Sequence, residues 1–291
     1  MVRDADLARW AVLPTLRVNS CYSTAWQSAP SRPLQCNDCR EQFTVTVNTV
    51  CERSKIPLSK WCTAIYLINS SKKGMSALKM HRMMGGSYKT AWFMMHRIRE
   101  AMRESKLGQL GGEGKFVEAD ETFTGGKAKN RAYKAPPPKE PVLALVERGG
   151  KVRSYHVPEV TAVTLKPIVV DAIAKDSHFR TDESSVYWSI GEGFASHRTV
   201  THSINEYVRG DAHTNTVEGY FSIFKRGING VYHHVSQEHL KRYLCEFDFR
   251  YNYRSALGYT DMARAEIAAS GIYGKRLTYR RPRSQAEPTT A

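Results

Sequence analysis

The sequence changes period near Lys115, and few folds accommodate both halves of that change. Upstream, residues 58–107 place apolar side chains at helical spacing. Downstream, short alternating runs take over, the spacing of strands. Phe116-Val117-Glu118-Ala119-Asp120 reads as a strand, and Pro141–Glu147 with Lys151–Val157 reads as a hairpin about Gly149-Gly150. Thr161–Lys175 reads as a helix, Ser177–Thr181 as a short strand ending at Asp182, and Ser196–Thr201 as another. Two helices come next, about Thr216–Ile228 and Ser236–Tyr253. With a helix between those last two strands, the order is three strands, helix, strand, helix, strand, helix, helix, that of an α/β sheet with antiparallel and parallel parts.

Ahead of that domain, residues 1–57 hold a Cys36–Cys39 pair and then Gln42-Phe43-Thr44-Val45-Thr46-Val47, whose alternation predicts a strand. Residues 58–107 read as three helices: Leu58–Ile68 just after Pro57, then Ser76–Met84, then Ser87–Met102, with Gly85-Gly86 breaking the last two and Ser87 as N-cap. A short helix, a glycine turn and a longer helix fit a helix-turn-helix, whose second helix enters the major groove. Ser87, Tyr88, Lys89 and Thr90 are then the DNA-contacting candidates, with Trp92, Phe93, Met95 and Ile98 facing the core. Gly108–Gly114 reads as a linker, residues 115–281 as the α/β domain, and residues 282–291 as a polar, disordered tail.

Charge narrows the partner. Lys and Arg number 43 against 28 Asp and Glu, a net of +15, which suits a polyanion such as nucleic acid. Residues 1–114 carry a net +9 and residues 215–291 a net +5, whereas residues 115–214 are almost balanced at +1. The middle thus keeps its acids, as a cation-binding site requires. Within it, Lys127, Lys129, Arg131, Lys134 and Lys139 form a basic stretch without an acid, suited to the DNA backbone. Apolar runs fall far short of the roughly 18 residues of a membrane span, and Asp4, Asp6 and Arg9 interrupt any signal-like start. The expectation is a cytoplasmic, nucleoid-associated protein with its six cysteines reduced.

Asp120 and Asp182 each stand at a strand end, where ligand sites of open α/β sheets gather, and Glu218 stands in the first turn of a helix. Three converging carboxylates suit hard cations such as Mg²⁺ or Mn²⁺. Two such ions about 3.5–4 Å apart stabilise the attacking and leaving oxygens of a phosphodiester displacement. Lys225, seven residues after Glu218, shares its helix face and can hold a phosphate; Asn215, three before it, can supply a neutral oxygen ligand. Glu121 adjoins Asp120 but, along a strand, points to the opposite face.

These motifs resemble one group of insertion-sequence transposases. Val117-Glu118-Ala119-Asp120-Glu121-Thr122-Phe123-Thr124-Gly125-Gly126-Lys127 is similar to the group's first-aspartate motif. Thr181-Asp182-Glu183 is similar to the second, and His213-Thr214-Asn215-Thr216-Val217-Glu218-Gly219-Tyr220-Phe221-Ser222-Ile223-Phe224-Lys225-Arg226-Gly227 to the third. Tyr232-His233-His234-Val235-Ser236 and Arg250-Tyr251-Asn252 extend a likeness running over residues 36–281. The group carries a zinc ribbon and a helix-turn-helix before a ribonuclease-H-like, retroviral-integrase-like DDE domain.

The resemblance implies that Asp120, Asp182 and Glu218 hold two divalent ions, with Asn215 the alternative to Glu218 in the third place. It implies cleavage of donor DNA and joining of the freed 3′-hydroxyl to target DNA, by a homo-oligomer that pairs the transposon ends. Arg226 joins the DNA-contacting candidates, and His213 orients the helix start or touches DNA. The ribbon departs from the pattern: Cys36 and Cys39 form one knuckle, while upstream Cys21 stands with Thr24 where a partner cysteine belongs, which leaves Cys21, Cys36 and Cys39 as candidate zinc ligands, one short of a closed four-thiolate site. The alternatives to a working transposase are a catalytically inactive DNA-binding descendant and a ribonuclease-H-like nuclease.

Overall fold

The computed structural model of the chain describes residues 34–35, 40, 42–104, 108–125, 138–201, 208, 210–211 and 213–278. They form two compact units. One takes in the described residues up to Ile65, Ala77–Ala101 and those from Glu266 onward; the other takes in Tyr66–Ser76 and Met102–Ala265.

In the first unit, β1 (Leu34–Gln35) pairs antiparallel with β2 (Gln42–Phe43). The strand expected through Val47 stops at Phe43, because local bonds turn the backbone. Val47 N–H reaches Thr44 O at 3.1 Å, the Thr49 hydroxyl reaches Thr46 O at 2.7 Å, and Asn48 adopts φ 56°. Threonine and asparagine offer such local bonds as readily as they fit a strand. Helices α1 (Leu58–Ser70), α2 (Ala77–Met84) and α3 (Tyr88–Met102) fall where the periodicity puts them. Gly85 and Gly86, at φ 71° and 81°, make the turn, and Ser87 caps α3 by accepting the Thr90 N–H at 3.1 Å. Met95 and Ile98 are fully buried, while Trp92 and Phe93 are half-buried.

In the second unit, β3 (Phe116–Gly125), β4 (Lys139–Glu147), β5 (Val152–His156), β6 (His178–Thr181) and β7 (Ser196–Thr199) form one sheet in the order β5-β4-β3-β6-β7. The β3–β4 and β4–β5 pairs are antiparallel; β3–β6 and β6–β7 are parallel. A three-strand meander extended on its first strand by two parallel strands is the ribonuclease-H-like arrangement. Gly111 and Gly112 donate their N–H groups to Glu147 and Ser177, and Leu110 bridges Ile173, so the glycine-rich stretch lies hydrogen-bonded along this unit.

Alternation along the strands builds two cores, one on each face. Val117, Ala119, Leu143 and Leu145 pack with Leu165, Val169 and Ala172 of α4 (Ala162–Ala172), and with Tyr187 and Ile190 around the short helix α5 (Trp188–Gly191). Val142, Ala144 and Val146 pack with Val217, Tyr220 and Phe224 of α6 (Asn215–Gly227), and with Leu240, Leu244 and Phe247 of α7 (Gln237–Asn252). The α4 helix ends at Ala172 rather than Lys175, because Ile173 turns extended to bridge Leu110. One helix, α8 (Asp261–Ser270), goes beyond the elements that the sequence pattern predicts. Its buried positions Ala265, Ala268 and Ala269 carry too little apolar surface to stand out in the sequence. Among the described residues no helix is long and apolar enough to cross a membrane.

Candidate active site

The parallel register of β3 and β6 sets Glu118 beside Arg180. Two residues further along each chain come Asp120, still in β3, and Asp182, just past the end of β6. The two aspartates expected to act together are therefore neighbours on adjacent parallel strands, Asp182 just past the end of β6 and Asp120 midway along β3, which runs on to Gly125 rather than ending at Asp120 as its pattern suggests. Each is held by short local bonds. Asp120 Oδ1 accepts the Glu121 N–H at 2.7 Å, and Asp182 Oδ1 accepts the Ser184 N–H at 3.1 Å, turning the chain away from the sheet. Across the β3–β4 ladder Asp120 faces Ala144, whose small side chain leaves the carboxylate room.

Glu121 takes the other face, as strand alternation requires, and accepts the hydroxyl of buried Tyr187. Burial pushes its carboxyl up to about 7, and the charges of Asp120 and Asp182 push the same way against the Tyr187 hydrogen bond. Burial, with the same three acids, also holds the Tyr187 phenol well above its usual range. The charges of Asp120 and Asp182 thus both reach Glu121. Two neighbouring carboxylates are the oxygen donors that hard divalent cations take.

Glu218 lies in the first turn of α6 on the solvent side, where its Oε1 accepts the Thr214 hydroxyl at 2.9 Å. Asn215 opens the same helix and Lys225 lies near its end, both exposed. The buried stripe of α6 is Val217, Tyr220, Phe221 and Phe224, which leaves Glu218 and Lys225 together on an exposed stripe beside it. Among the described residues no three His, Cys, Asp or Glu side chains gather into a metal-holding group; the strand register brings Asp120 and Asp182 onto neighbouring strands.

Sequence reasoning missed the ionic framework behind these residues. Glu118, fully buried on β3, pairs with Arg148, whose other guanidinium nitrogens donate to the carbonyls of Asp211 and His213 at 2.8 and 2.9 Å. His213, expected to orient the helix start or touch DNA, sets its Nδ1 3.1 Å from Glu118 without hydrogen-bond alignment. Arg180 pairs with Asp211, which also receives Arg198 at 2.6 Å; the two guanidiniums, Arg180 first, hold the Asp211 carboxyl down to about 2. The Phe116 ring lies between the Arg148 and Arg180 guanidiniums, each 5.0 Å from its centroid. The one local signal is a glutamate set between the apolar residues Val117 and Ala119.

Of the expected DNA contacts, Tyr88, Lys89 and Thr90 are exposed in the first turn of α3. The Ser87 hydroxyl is engaged with Thr90 at 2.9 Å. Arg226 is exposed and folds back on Ser222. Lys127, Lys129, Arg131 and Lys134 lie outside the described residues, as do the zinc candidates Cys21, Cys36 and Cys39 and the tail 282–291. Lys139 is exposed at the start of β4.

Residues 109–252 match the ISXO2-like transposase domain family. The chain is 29% identical over 237 residues to the uncharacterized protein in transposable element ISH50 of Halobacterium salinarum, covering 74% of this chain and 76% of that protein. Among solved structures, a chain in the simian T-cell lymphotropic virus intasome in complex with the PP2A regulatory subunit B56 gamma is similar over 78% of this chain and 80% of its own length. That likeness has 15% identity and a TM-score of 0.34, too loose to bear on the fold, which rests on the strand order. Residues 109–252 thus match an ISXO2-like transposase domain, and together with the likeness to a protein of an insertion-sequence element this supports an insertion-sequence DDE transposase.

Proposed function

We propose that the chain moves its element by metal-dependent cleavage of DNA at the element's ends and transfer of the freed strand to target DNA. The observation that carries this reading is the placement of Asp120, midway along β3, beside Asp182, just past the end of the adjacent parallel strand β6, within a transposase-family domain. Asp120 and Asp182 hold the cation, with Glu218 as the third carboxylate and Asn215 as its neutral alternative. When bound, two Mg²⁺ or Mn²⁺ ions activate the attacking oxygen and stabilise the leaving one. Lys225, open to solvent on the Glu218 stripe, holds a DNA phosphate beside the acids as a point charge. Glu121 sits behind the strand on Tyr187 and supports β3 rather than meeting the substrate.

DNA is also gripped by α2 and α3 acting as a helix-turn-helix, with Ser87, Tyr88, Lys89 and Thr90 at the groove. Lys127, Lys129, Arg131, Lys134 and Arg226 follow the backbone. Pairing two ends requires at least two copies of the chain on DNA.

The test is strand cleavage and joining by the full chain on DNA carrying the element's own terminal repeats, against the same DNA with scrambled ends, in Mg²⁺ and in Mn²⁺. Joining confined to the true ends is the expected result. Cutting that ignores the ends would make the protein a nuclease of the same fold, and tight binding to the ends with no cutting would make it an inactive DNA-binding descendant.

A further inference from the structure

The strand that carries Asp120 also carries a carboxylate that water does not reach. Glu118, two residues earlier and on the same face, is 0% exposed, yet all its bonding capacity is used. One oxygen accepts the backbone N–H groups of Thr216 at 2.8 Å and Val217 at 3.0 Å. The other accepts the Thr216 hydroxyl at 2.8 Å and the Arg148 guanidinium at 2.5 Å.

Thr216 and Val217 are the second and third residues of α6, whose N–H groups have no partner inside the helix. A helix normally satisfies them with the side chain of the residue just before it. Here that residue is Thr214, and it makes no such cap; its hydroxyl goes to the Glu218 carboxylate instead, at 2.9 Å. The cap of α6 therefore comes from β3, and the side chain this releases holds Glu218. Arg148 neutralises Glu118 and, through the carbonyls of Asp211 and His213, fixes the segment that leads into the helix.

We infer that Glu118 is a positioning residue for Glu218. It bonds the first turn of α6 directly to the Asp120 strand, so that backbone hydrogen bonds, and not packing alone, set where Glu218 stands relative to Asp120. Glu118 touches no substrate and no metal. The inference rests on the proposal above that Glu218 serves the cutting reaction. The charge matters to the arrangement: a glutamine keeps one acceptor oxygen, turns an NH₂ toward donors, and leaves the half-buried Arg148 without its counter-ion.

The experiment compares wild type, Glu118→Gln, Glu218→Gln and the double variant as full chains. It reads thermal unfolding, DNA binding, direct Mn²⁺ binding by isothermal titration, and cleavage rate against Mn²⁺ concentration. Glu118→Gln is expected to keep DNA binding while losing about 10–100-fold in Mn²⁺ affinity and cleavage, the scale on which groups orienting a ligand act. The double variant is expected to cut no more slowly than Glu218→Gln alone, because the two residues act through one place. A Glu118→Gln protein within about threefold of wild type, beside a dead Glu218→Gln, overturns the positioning role and leaves Glu218 standing. Losses that multiply in the double variant overturn it as well. A Glu218→Gln protein that cuts like wild type removes the Glu218 assignment and the positioning role together.

Should Glu118→Gln fail to fold, Thr214→Val and Thr214→Ser read the same linkage without disturbing the Glu118–Arg148 pair. Valine is expected to lose about tenfold in cleavage and serine to restore it; wild-type cleavage by the valine variant contradicts the inference.

Discussion

Asn252 lends its side-chain amide to the backbone of Val152: Oδ1 accepts the Val152 N–H at 2.7 Å, and Nδ2 donates to the Val152 carbonyl at 3.1 Å. Val152 lies on β5, the edge strand of the sheet, so the last residue of α7 completes a ladder that no further strand continues. Both groups are buried away from water. Asn252→Ala leaves them unpaired and is expected to cost about 2–4 kcal/mol in denaturant unfolding. Asn252→Asp keeps the acceptor, loses the donor and is also destabilising. A loss under about 0.5 kcal/mol for the alanine variant would mean the edge is satisfied another way.

Gly74 meets a different constraint. It sits at φ +91°, and a Cβ built there would fall 1.9 Å from the Tyr232 hydroxyl oxygen. That hydroxyl donates to buried Glu246 at 2.6 Å, and Glu246 in turn pairs with buried Arg250. Gly74→Ala is expected to lower stability by about 1–3 kcal/mol, by clash and by backbone strain. Gly230→Ala, with nothing within 4 Å of its built Cβ, is the control and should stay within about 0.5 kcal/mol of wild type in the same melts.

Asp248 gives the stability of the second unit a pH dependence. It accepts the Tyr220 hydroxyl at 2.6 Å, with the Ser154 hydroxyl and N–H at 2.7 and 2.8 Å, and burial pushes its carboxyl up from 3.8 to about 6. The folded chain therefore keeps, between those two values, a proton that the unfolded chain has lost. Stability contributed by that proton is present at the acid end and disappears as pH rises through about 6. Because one edge of Asp248 remains partly exposed, the expected change is on the order of 1–2 kcal/mol. Thermal melts across this range should show wild type losing stability with rising pH and Asp248→Asn showing a flatter profile. Equal slopes for the two would remove Asp248 as the source.

The first turn of α3 separates two roles that the sequence joins. Lys89 is exposed, whereas the Ser87 oxygen is engaged by the Thr90 N–H and hydroxyl. Lys89→Ala should weaken DNA binding and reduce the slope of log affinity against log salt by about 1. Ser87→Ala should cost about 1 kcal/mol of stability through the lost cap. An unchanged salt slope for Lys89→Ala would show that this turn does not meet a phosphate.

Features whose cause is local are legible in the sequence. The alternation around Val117 and Ala119, the glycine turn before Ser87 and the strand end at Asp182 all arise from spacing and short-range bonds, and the structure places them as expected. Where several local choices compete, the pattern misleads: Thr44, Thr46 and Asn48 turn a run whose apolar alternation promises a strand. Alanine-faced α8 escapes notice for want of contrast. Nothing near Glu118 tells that its partners are Thr216 and Val217, about a hundred residues on, because that bond exists only once β3 and α6 have met. Strand ends alone suggest the pairing of Asp120 with Asp182, and the β3–β6 register supplies the reason.

Those two aspartates carry the proposed chemistry. The most direct measurement is the rate of DNA strand cleavage in Mn²⁺ by Asp120→Asn, Asp182→Asn and, as control, Asp171→Asn, an exposed carboxylate on α4. DNA binding is measured on the same preparations. The first two are predicted to lose cleavage by about 1000-fold or more while still binding DNA, and the control to cut like wild type. Cleavage by Asp182→Asn at the wild-type rate would contradict the metal-dependent mechanism built on this pair.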